Sequence, residues 1–172
     1  MLDLLMKTLV LRKGKPSVPS LINYIVSHAP FPGPTNTGNG TIGNRFIVGG
    51  KDLRVHKIRL KTYSNINYRT GLWIVSGSVN LVDVVIPGVA RQWVDFELEN
   101  PVVLSKNTTH VIGYHASWWD RYTSIPIDSG YSVTADATQR GSVWRSTSFG
   151  MPTNAINDSR LVNISFLYEV IE

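Results

Sequence analysis

Hydrophobic and polar residues alternate along much of the chain after residue 44, which is the pattern of half-buried β-strands. The segment from Arg91 to Leu98 shows it, with Val94, Phe96 and Leu98 on one face and Trp93, Asp95 and Glu97 on the other. The last segment is the clearest, since one of its faces carries Val162, Ile164, Phe166, Tyr168 and Val170 and the other, polar face carries Asn163, Ser165 and Glu169. These patterns predict antiparallel strands with one face in a core.

The segment from Leu53 to Lys61 alternates as well, but its phase changes near His56 and Lys57, which predicts a β-bulge or a twist there. Residues rich in glycine, asparagine, serine and proline separate the strand-like runs at short intervals. Further strands are predicted at 45–48, 72–76, 79–86, 102–104, 108–115 and 143–146. Residues 44–172 therefore predict an all-β domain, an antiparallel sandwich of jelly-roll-like form.

Residues 1–43 differ from this body. Three prolines within residues 30–34 exclude a helix or a central strand, and the asparagine, threonine and glycine residues that follow are typical of a linker. We expect an extended N-terminal arm whose apolar residues pack either on its own domain or on a partner, and we favour a partner that orders the arm. The candidate interface residues of the arm are Leu4, Leu5, Leu9, Leu21, Ile22, Tyr24, Ile25 and Phe31.

Charge is distributed unevenly along the chain. Residues 1–69 hold eleven basic residues against two acidic ones, and residues 70–172 hold six against ten, within a net charge of +5. Such polarity suits docking on an acidic protein surface, on nucleic acid or on the acidic part of a second copy, or it keeps a solvated strand face soluble. The predicted basic face consists of Arg54, Lys57, Arg59 and Lys61.

Nucleic acid is the least favoured of these partners, because no recognition helix or aromatic RNA-binding signature accompanies the cations. A membrane partner is not expected either. The apolar run at the N-terminus is too short to span a bilayer, and it lacks the basic start and small-residue cleavage site of a signal peptide. Synthesis in a cytoplasm is therefore expected.

The sequence predicts no catalytic centre, no metal site and no cofactor. It contains no cysteine, which excludes disulfides, thiolate ligands and cysteine nucleophiles. His110 and His115 are five apart on a predicted strand, so they fall on opposite faces and cannot chelate one ion together. Asp95, Glu97 and Glu99 share a strand face, which is read as a solvated face in preference to a calcium site.

Several motifs in the first half of the body occur in a recognisable order. They are Gly71-Leu72-Trp73, Arg91-Gln92-Trp93-Val94-Asp95-Phe96, Pro101-Val102-Val103-Leu104 and Thr108-Thr109-His110-Val111-Ile112-Gly113-Tyr114-His115-Ala116. Over about residues 45–118 the chain resembles an uncharacterised β-sandwich domain family, found among immunoglobulin-like and cadherin-like repeats of large secreted bacterial proteins. The resemblance implies an accessory or adhesive module without established catalysis.

An aromatic and charged cluster follows the strand that ends at His115. It comprises Trp118, Trp119, Asp120, Arg121 and Tyr122. Aromatic rings beside aspartate and arginine can stack on sugar faces and bond hydroxyl groups. The same residues also suit a protein interface or the internal packing of one end of the sandwich. Sugar binding, a protein interface and internal packing are therefore three open interpretations of this cluster.

A small cysteine-free β-domain with an N-terminal arm looks, in its architecture, like a virion protein of a tailed phage. The sequence therefore predicts a structural, non-enzymatic phage component, either a capsid decoration protein or a tail or fibre protein. Its expected partners are other virion proteins and further copies of itself in a symmetric assembly. The alternative is a carbohydrate-binding or adhesive module that uses the cluster at 118–122 on a cell-surface glycan.

Overall fold

The computed structural model describes residues 20–24, 36–37, 40–116, 121–122, 124–126, 133–146, 148–157 and 160–172. Within these ranges the chain forms strands and one short 3-10 turn at Ser76–Ser78, with no α-helix. The strands are β1 Ile22–Asn23, β2 Asn36–Thr37, β3 Gly40–Val48, β4 Asp52–Thr62, β5 Asn67–Ile74, β6 Val79–Pro87, β7 Gln92–Leu104, β8 Thr109–Ala116, β9 Arg121–Tyr122, β10 Ser124–Pro126, β11 Ala137–Ser146, β12 Asn154–Asn157, β13 Arg160–Val162 and β14 Ile164–Ile171. The all-β class is confirmed.

Two antiparallel sheets make up most of the body. One has four strands in the order β1-β14-β4-β7, and the other has six in the order β12-β11-β3-β8-β5-β6. Strands β2 and β9 form one additional two-stranded ribbon, and β10 and β13 form another. Because β3 to β4, β4 to β5, β6 to β7 and β7 to β8 each change sheet, most neighbours within a sheet are distant in sequence. The predicted sandwich is confirmed.

Aromatic side chains from both sheets meet in the core. Phe46 on β3 and Phe166 on β14 lie with ring centroids 5.1 Å apart, and both are fully buried. Tyr24 stacks on Phe166 at 4.7 Å, and Tyr168 packs against the same ring at 5.6 Å. Each such side chain contributes about 1.5–3 kcal/mol by leaving water. The apolar face predicted for the last strand therefore lies in the core.

The bulge predicted in the 53–61 segment is confirmed at His56. On one side of β4, Val55 pairs with Val102 and Lys57 with Glu97, so His56 lies opposite residues 98–101 of β7, which are also left out of the pairing. On the other side, β14 pairs Leu167 with Lys57 and Tyr168 with Val55, which also skips His56. The extra residue returns the apolar positions on both sides of it to the core face.

The polar face predicted for the last strand is wrong at its start. Asn163 and Ser165 are fully buried, and Asn163 interrupts the strand between β13 and β14. The Asn163 amide donates to the carbonyl oxygen of Lys61 at 2.6 Å, and the Tyr114 hydroxyl donates to Asn163 Oδ1 at 2.9 Å. These bonds allow a polar residue to be buried where the sheets meet.

A second buried asparagine ties the two sheets together. Asn44 on β3 donates through Nδ2 to the carbonyl oxygens of Val162 and Ile164, at 3.0 and 2.8 Å. Its Oδ1 accepts a hydrogen bond from the Val162 amide at 2.7 Å. All three bonds cross from the six-stranded sheet to the chain around Asn163. This network fixes the relative position of the two sheets at that corner.

Candidate functional surfaces

The four cations predicted as a basic face lie on β4, at the outer surface of the four-stranded sheet. Acidic side chains on the next strand face two of them. Arg59 donates two hydrogen bonds to Asp95 on β7, at 2.6 and 2.8 Å, and Lys57 Nζ lies 3.5 Å from Glu97. The hydrogen bonds to Asp95 raise the pKa of Arg59. These are directly opposed cross-strand pairs, because the register aligns each cation with its acid.

The other neighbour of β4 also supplies an acid. Arg54 Nη1 lies 2.8 Å from the carboxylate of Glu169 on β14, and His56 Nε2 lies 3.1 Å from the same oxygen. The hydrogen bond with His56, followed by that with Arg54, lowers the pKa of Glu169. Lys61 differs from the other three, because its Nζ donates to the carbonyl oxygen of Arg91 at 2.7 Å.

The predicted basic face is therefore a face of mixed charge. The charge polarity of the sequence suggested a partner of opposite charge outside the domain. In the fold, the acids of β7 and β14 come from the second half of the same chain and lie beside the cations of β4. Three of the four predicted cations have a carboxylate partner within their own sheet, so this surface presents far less net positive charge than the sequence suggests.

The outer surface of the six-stranded sheet is built on a row of glycines. Gly43, Gly113 and Gly71 are direct neighbours across β3, β8 and β5. A Cβ atom at Gly71 would lie 2.3 Å from the indole of Trp73, and one at Gly113 would lie 2.7 Å from the carbonyl oxygen of Ile42. The row thus leaves a trough in the sheet, and the Trp73 ring occupies one end of it.

A covering segment, residues 148–153, closes this part of the sheet from solvent. Trp73 is 3% exposed and lies 5.5 Å from the ring of Phe149, and the guanidinium of Arg69 lies 4.2 Å above that ring. The Gly150 amide donates to Thr41 Oγ1 at 3.3 Å, which fixes the segment to β3. Trp73 is consequently part of a second, smaller core and does not form an open aromatic platform.

Beside the covered region, a β-bulge on β11 brings two arginines together. The register of β11 with β3 shifts between Gln139 and Ser142, so Arg140 and Gly141 together lie opposite Arg45. Gly141 has a φ of 92°, in the left-handed region that glycine adopts without strain. Such bulges redirect side chains at the edges of functional sites.

Arg45 and Arg140 line a cleft of about 420 Å³. Its remaining lining residues are Ile47, Thr109 and Gln139, so none of the five is acidic. The Arg45 Nη2 atom donates to the carbonyl oxygen of Thr153 at 3.4 Å, a long bond. The Arg45 Nε atom is buried and has no hydrogen-bond partner. Two cationic side chains and an unsatisfied donor make this cleft suited to a negatively charged group.

Sequence reasoning missed this pair of arginines. The predicted strand in this region began only at Val143, whereas β11 begins at Ala137. A glycine inside the strand-like run 137–146 is a signal for a bulge, and it was the one available indication that Arg140 would be redirected. Its position opposite Arg45 depends on strand order, which the sequence does not give.

The two histidines of β8 lie on opposite faces, as their spacing predicted. His110 stacks on Phe46 at 5.7 Å, and its Nε2 lies 2.6 Å from the Thr108 hydroxyl. Burial lowers the pKa of His110 to about 4, so the ring is neutral at pH 7. His115 is on the outer face, where burial, and secondarily the charge of Arg69, lower its pKa.

The aromatic cluster predicted as a glycan or protein interface falls largely outside the described residues. Trp118, Trp119 and Asp120 are not among them. Arg121 and Tyr122 form β9, which pairs with β2. The side chains of the whole cluster lie outside the described part of the structure. Glycan binding, a protein interface and internal packing therefore all stay predictions for this cluster.

The predicted arm interface is described in part. Five of its residues lie outside the described ranges, namely Leu4, Leu5, Leu9, Ile25 and Phe31. Leu21 is half-buried, Ile22 is 37% exposed and Tyr24 is fully buried in the core. The interface assignment needs correction at Tyr24, because a ring enclosed between Phe46 and Phe166 of its own domain is not available to a partner.

One edge of the six-stranded sheet exposes apolar side chains. Strand β6 ends the sheet order, and its Val79 and Val85 are 49% and 51% exposed. An edge strand also presents backbone groups that its own sheet does not use, and those groups can pair with another strand. This edge is suited to contact with a second β-strand.

Comparisons with known proteins add no relative. Neither the models of known protein families nor the curated proteins contain a match to this chain. The resemblance of residues 45–118 to a bacterial β-sandwich family thus stays a prediction. Over the residues that the structure describes, no group of three or more acidic or histidine side chains is placed to hold a metal ion, and no helix is long and apolar enough to cross a membrane.

Proposed function

We propose that this chain is a structural, non-enzymatic component of a phage particle, in the capsid decoration or in the tail or fibre. The sandwich is the body, repeated in a symmetric assembly, and the residues before Ser20 contact other particle proteins. The chain is made in the host cytoplasm and resides in the virion.

The observation that carries the proposal is the way in which residues 20–24 join the sandwich. They add β1 to the free edge of the four-stranded sheet, far in sequence from its neighbour β14. The Tyr24 amide donates to the carbonyl oxygen of Phe166 at 2.9 Å, and the Thr134 amide donates to that of Tyr24 at 3.0 Å. The Tyr24 ring then fills the core, so the segment is anchored like a bound peptide.

This anchor separates the N-terminal region into two parts, one that belongs to the sandwich and one that is proposed to bind other proteins. Residues 20–24 belong to the body, and the apolar residues predicted for an interface, Leu4, Leu5 and Leu9, precede the anchor in sequence. An arm that is anchored at a sheet edge starts from a defined point, which lowers the entropy that its binding to a neighbour costs. The exposed edge at β6 gives the body a second contact surface for further copies.

The test is a truncation that removes residues 1–19 and retains the anchor. In the phage that encodes the chain, this variant should be absent from gradient-purified particles, whereas the full-length chain co-sediments with them. The purified variant should unfold at the same temperature as the full-length protein, since β1 and Tyr24 remain.

A matched control changes only the side chains, with Leu4, Leu5 and Leu9 replaced by serine in the full-length chain, and it should also be lost from particles. Normal incorporation of both variants would overturn the role of the arm. Absence of the full-length chain from every particle fraction, together with its retention on host surface glycans, would favour the adhesive alternative.

A further inference from the structure

We propose that the cleft between Arg45 and Arg140 is a binding site for an oxyanion, either a carboxylate or a phosphate group. The inference concerns a surface that the proposed function does not use, and it stands independently of that function. It rests on the bulge geometry, on the pairing state of the arginines and on the unsatisfied Arg45 donor.

The first argument comes from the other arginines of the two sheets. Arg59 donates from Nε and Nη2 to both oxygens of Asp95, and Arg69 does the same to Asp83, at 2.9 and 2.6 Å. These pairs show the arrangement that a guanidinium adopts with a carboxylate, two parallel hydrogen bonds from one edge of the group. Two arginines of the fold thus hold a carboxylate through Nε and Nη2, whereas Arg54 holds Glu169 through Nη1 alone.

Arg45 and Arg140 differ from those arginines. Among the described residues, neither has a carboxylate within ion-pair distance, and no acid lines their cleft. Arg45 is half-buried, so its charge is only partly hydrated. Two like charges held in one cleft repel one another, and an anion between them removes that cost.

The second argument is the state of the Arg45 guanidinium. Its Nε has lost contact with solvent and has no acceptor, which costs about 1–3 kcal/mol for an uncompensated donor. Its Nη2 makes one long bond to a neutral acceptor, the carbonyl oxygen of Thr153. These are the same two atoms that bind the carboxylates of Asp95 and Asp83 in the other pairs. An oxyanion at Arg45 would satisfy both.

The volume and the lining of the cleft suit a small acid or an acidic side chain. A volume of about 420 Å³ accommodates an oxyanion with several further heavy atoms. Thr109 and Ile47 pair across β8 and β3 within the lining, so a hydroxyl donor and an apolar surface lie side by side. The ligand class is therefore a carboxylate or phosphate attached to a small, partly apolar group.

The test is a titration of the ¹⁵N-labelled full-length protein, followed by NMR, with inorganic phosphate, acetate and glucuronate as separate probes. At least one probe should produce saturable shifts at the amides of Arg45, Thr109 and Arg140. Tighter binding of phosphate would identify a phosphate ligand, and tighter binding of either carboxylate would identify a carboxylic acid.

The Arg45→Gln and Arg140→Gln variants should each weaken that binding by about tenfold or more, because each removes a charged donor. Arg45→Lys should bind with intermediate strength, since lysine keeps the charge and loses the paired donors. The matched control is Lys61→Gln, which removes one positive charge from the outer surface of the other sheet and should leave binding unchanged.

Shifts that do not saturate at tens of millimolar of any probe would overturn the proposal. Equal weakening by Lys61→Gln would also overturn it, because it would mean that general charge attraction explains the effect. Should Arg45→Gln fail to fold, Arg140→Gln decides the matter, because Arg140 is exposed and its replacement leaves the core intact.

Discussion

The outer surfaces of the two sheets use charge in opposite ways. On the four-stranded sheet, the cations of β4 lie between acids of β7 and β14, and the pairs are open to solvent. On the six-stranded sheet, a covering segment buries Trp73 over a row of glycines, and two arginines beside it have no acid in their cleft. One surface balances its own charge, and the other keeps a local excess of positive charge.

The contrast shows why a charge run is a weak guide to a binding surface. Strand β4 is the most basic of the described strands, yet it is central in its sheet, so both neighbours can supply acids. Cross-strand pairs of this kind help to fix strand register. Arg45 is a single cation on β3, but it lies opposite a bulge instead of an acid. The partner on the next strand decides whether a cation remains available.

The largest expected difference between the two surfaces concerns their tryptophans. Trp73→Ala should lower the free energy of unfolding by about 3–5 kcal/mol, because it removes a buried indole and leaves a cavity under Phe149. Trp93, on the outer surface of the four-stranded sheet, is 36% exposed, and Trp93→Ala should cost about 1–2 kcal/mol. Urea unfolding followed by circular dichroism measures both.

Equal losses for the two tryptophan variants would mean that residues 148–153 do not cover Trp73 in solution. A supporting variant is Phe149→Ala, which should expose the indole and shift the emission of Trp73 to longer wavelength. Trp93→Ala as a background would make that shift easier to observe.

The second difference is the pH at which each sheet loses stability. The pKa of His110, in the six-stranded sheet, is about 4 in the fold against an ordinary 6.5. The unfolded chain therefore binds the proton first as pH falls, and stability declines between about 6.5 and 4. A loss of about 3 kcal/mol is expected in that range, since each tenfold change in proton affinity corresponds to about 1.4 kcal/mol.

In the four-stranded sheet, the group to compare with His110 is the carboxylate of Glu169, which also has a shifted pKa. Its pKa is lowered in the fold, so its contribution is present above its ordinary value of 4.5 and is lost as pH falls below it. His110→Gln should flatten the decline between pH 6.5 and 4.5, and Glu169→Gln should not. Urea midpoints over this range measure the effect, and a decline that His110→Gln leaves intact would contradict the assignment.

Local pattern in the sequence was enough to predict several elements of the fold. The alternation of apolar and polar residues correctly predicted that Val94, Phe96 and Leu98 face the core. The change of phase in that alternation predicted the bulge at His56. Two separate strands were expected around Pro101, whereas β7 runs through it from Gln92 to Leu104. The proline is tolerated there because it lies in the register shift between β7 and β4, where residues 98–101 have no partner on β4.

Features that depend on strand order were not predictable in this way. The cations of β4 were identified from sequence, but their partners Asp95 and Glu169 lie 36 or more residues away and meet them only once β4 is placed between β7 and β14. Tyr24 resembled an arm residue because its core partners, Phe46 and Phe166, belong to distant strands. Predicting the arginine cleft would have required knowing that β11 pairs with β3 and that the register between them shifts.

The smallest expected effect compares two ion pairs of the same geometry, one on each sheet. A double-mutant cycle with Arg59→Gln and Asp95→Asn should give a coupling of about 0.5–1 kcal/mol that falls as salt is added, because both groups are exposed. In the six-stranded sheet, Arg69→Gln should destabilise more than Asp83→Asn, since Arg69 also lies above the Phe149 ring. That excess should persist in high salt and disappear in a Phe149→Leu background. If the greater destabilisation by Arg69→Gln disappears when salt alone is added, Arg69 stabilises the fold only through its ion pair with Asp83. Arg69 and Arg59 would then stabilise their two sheets by the same interaction.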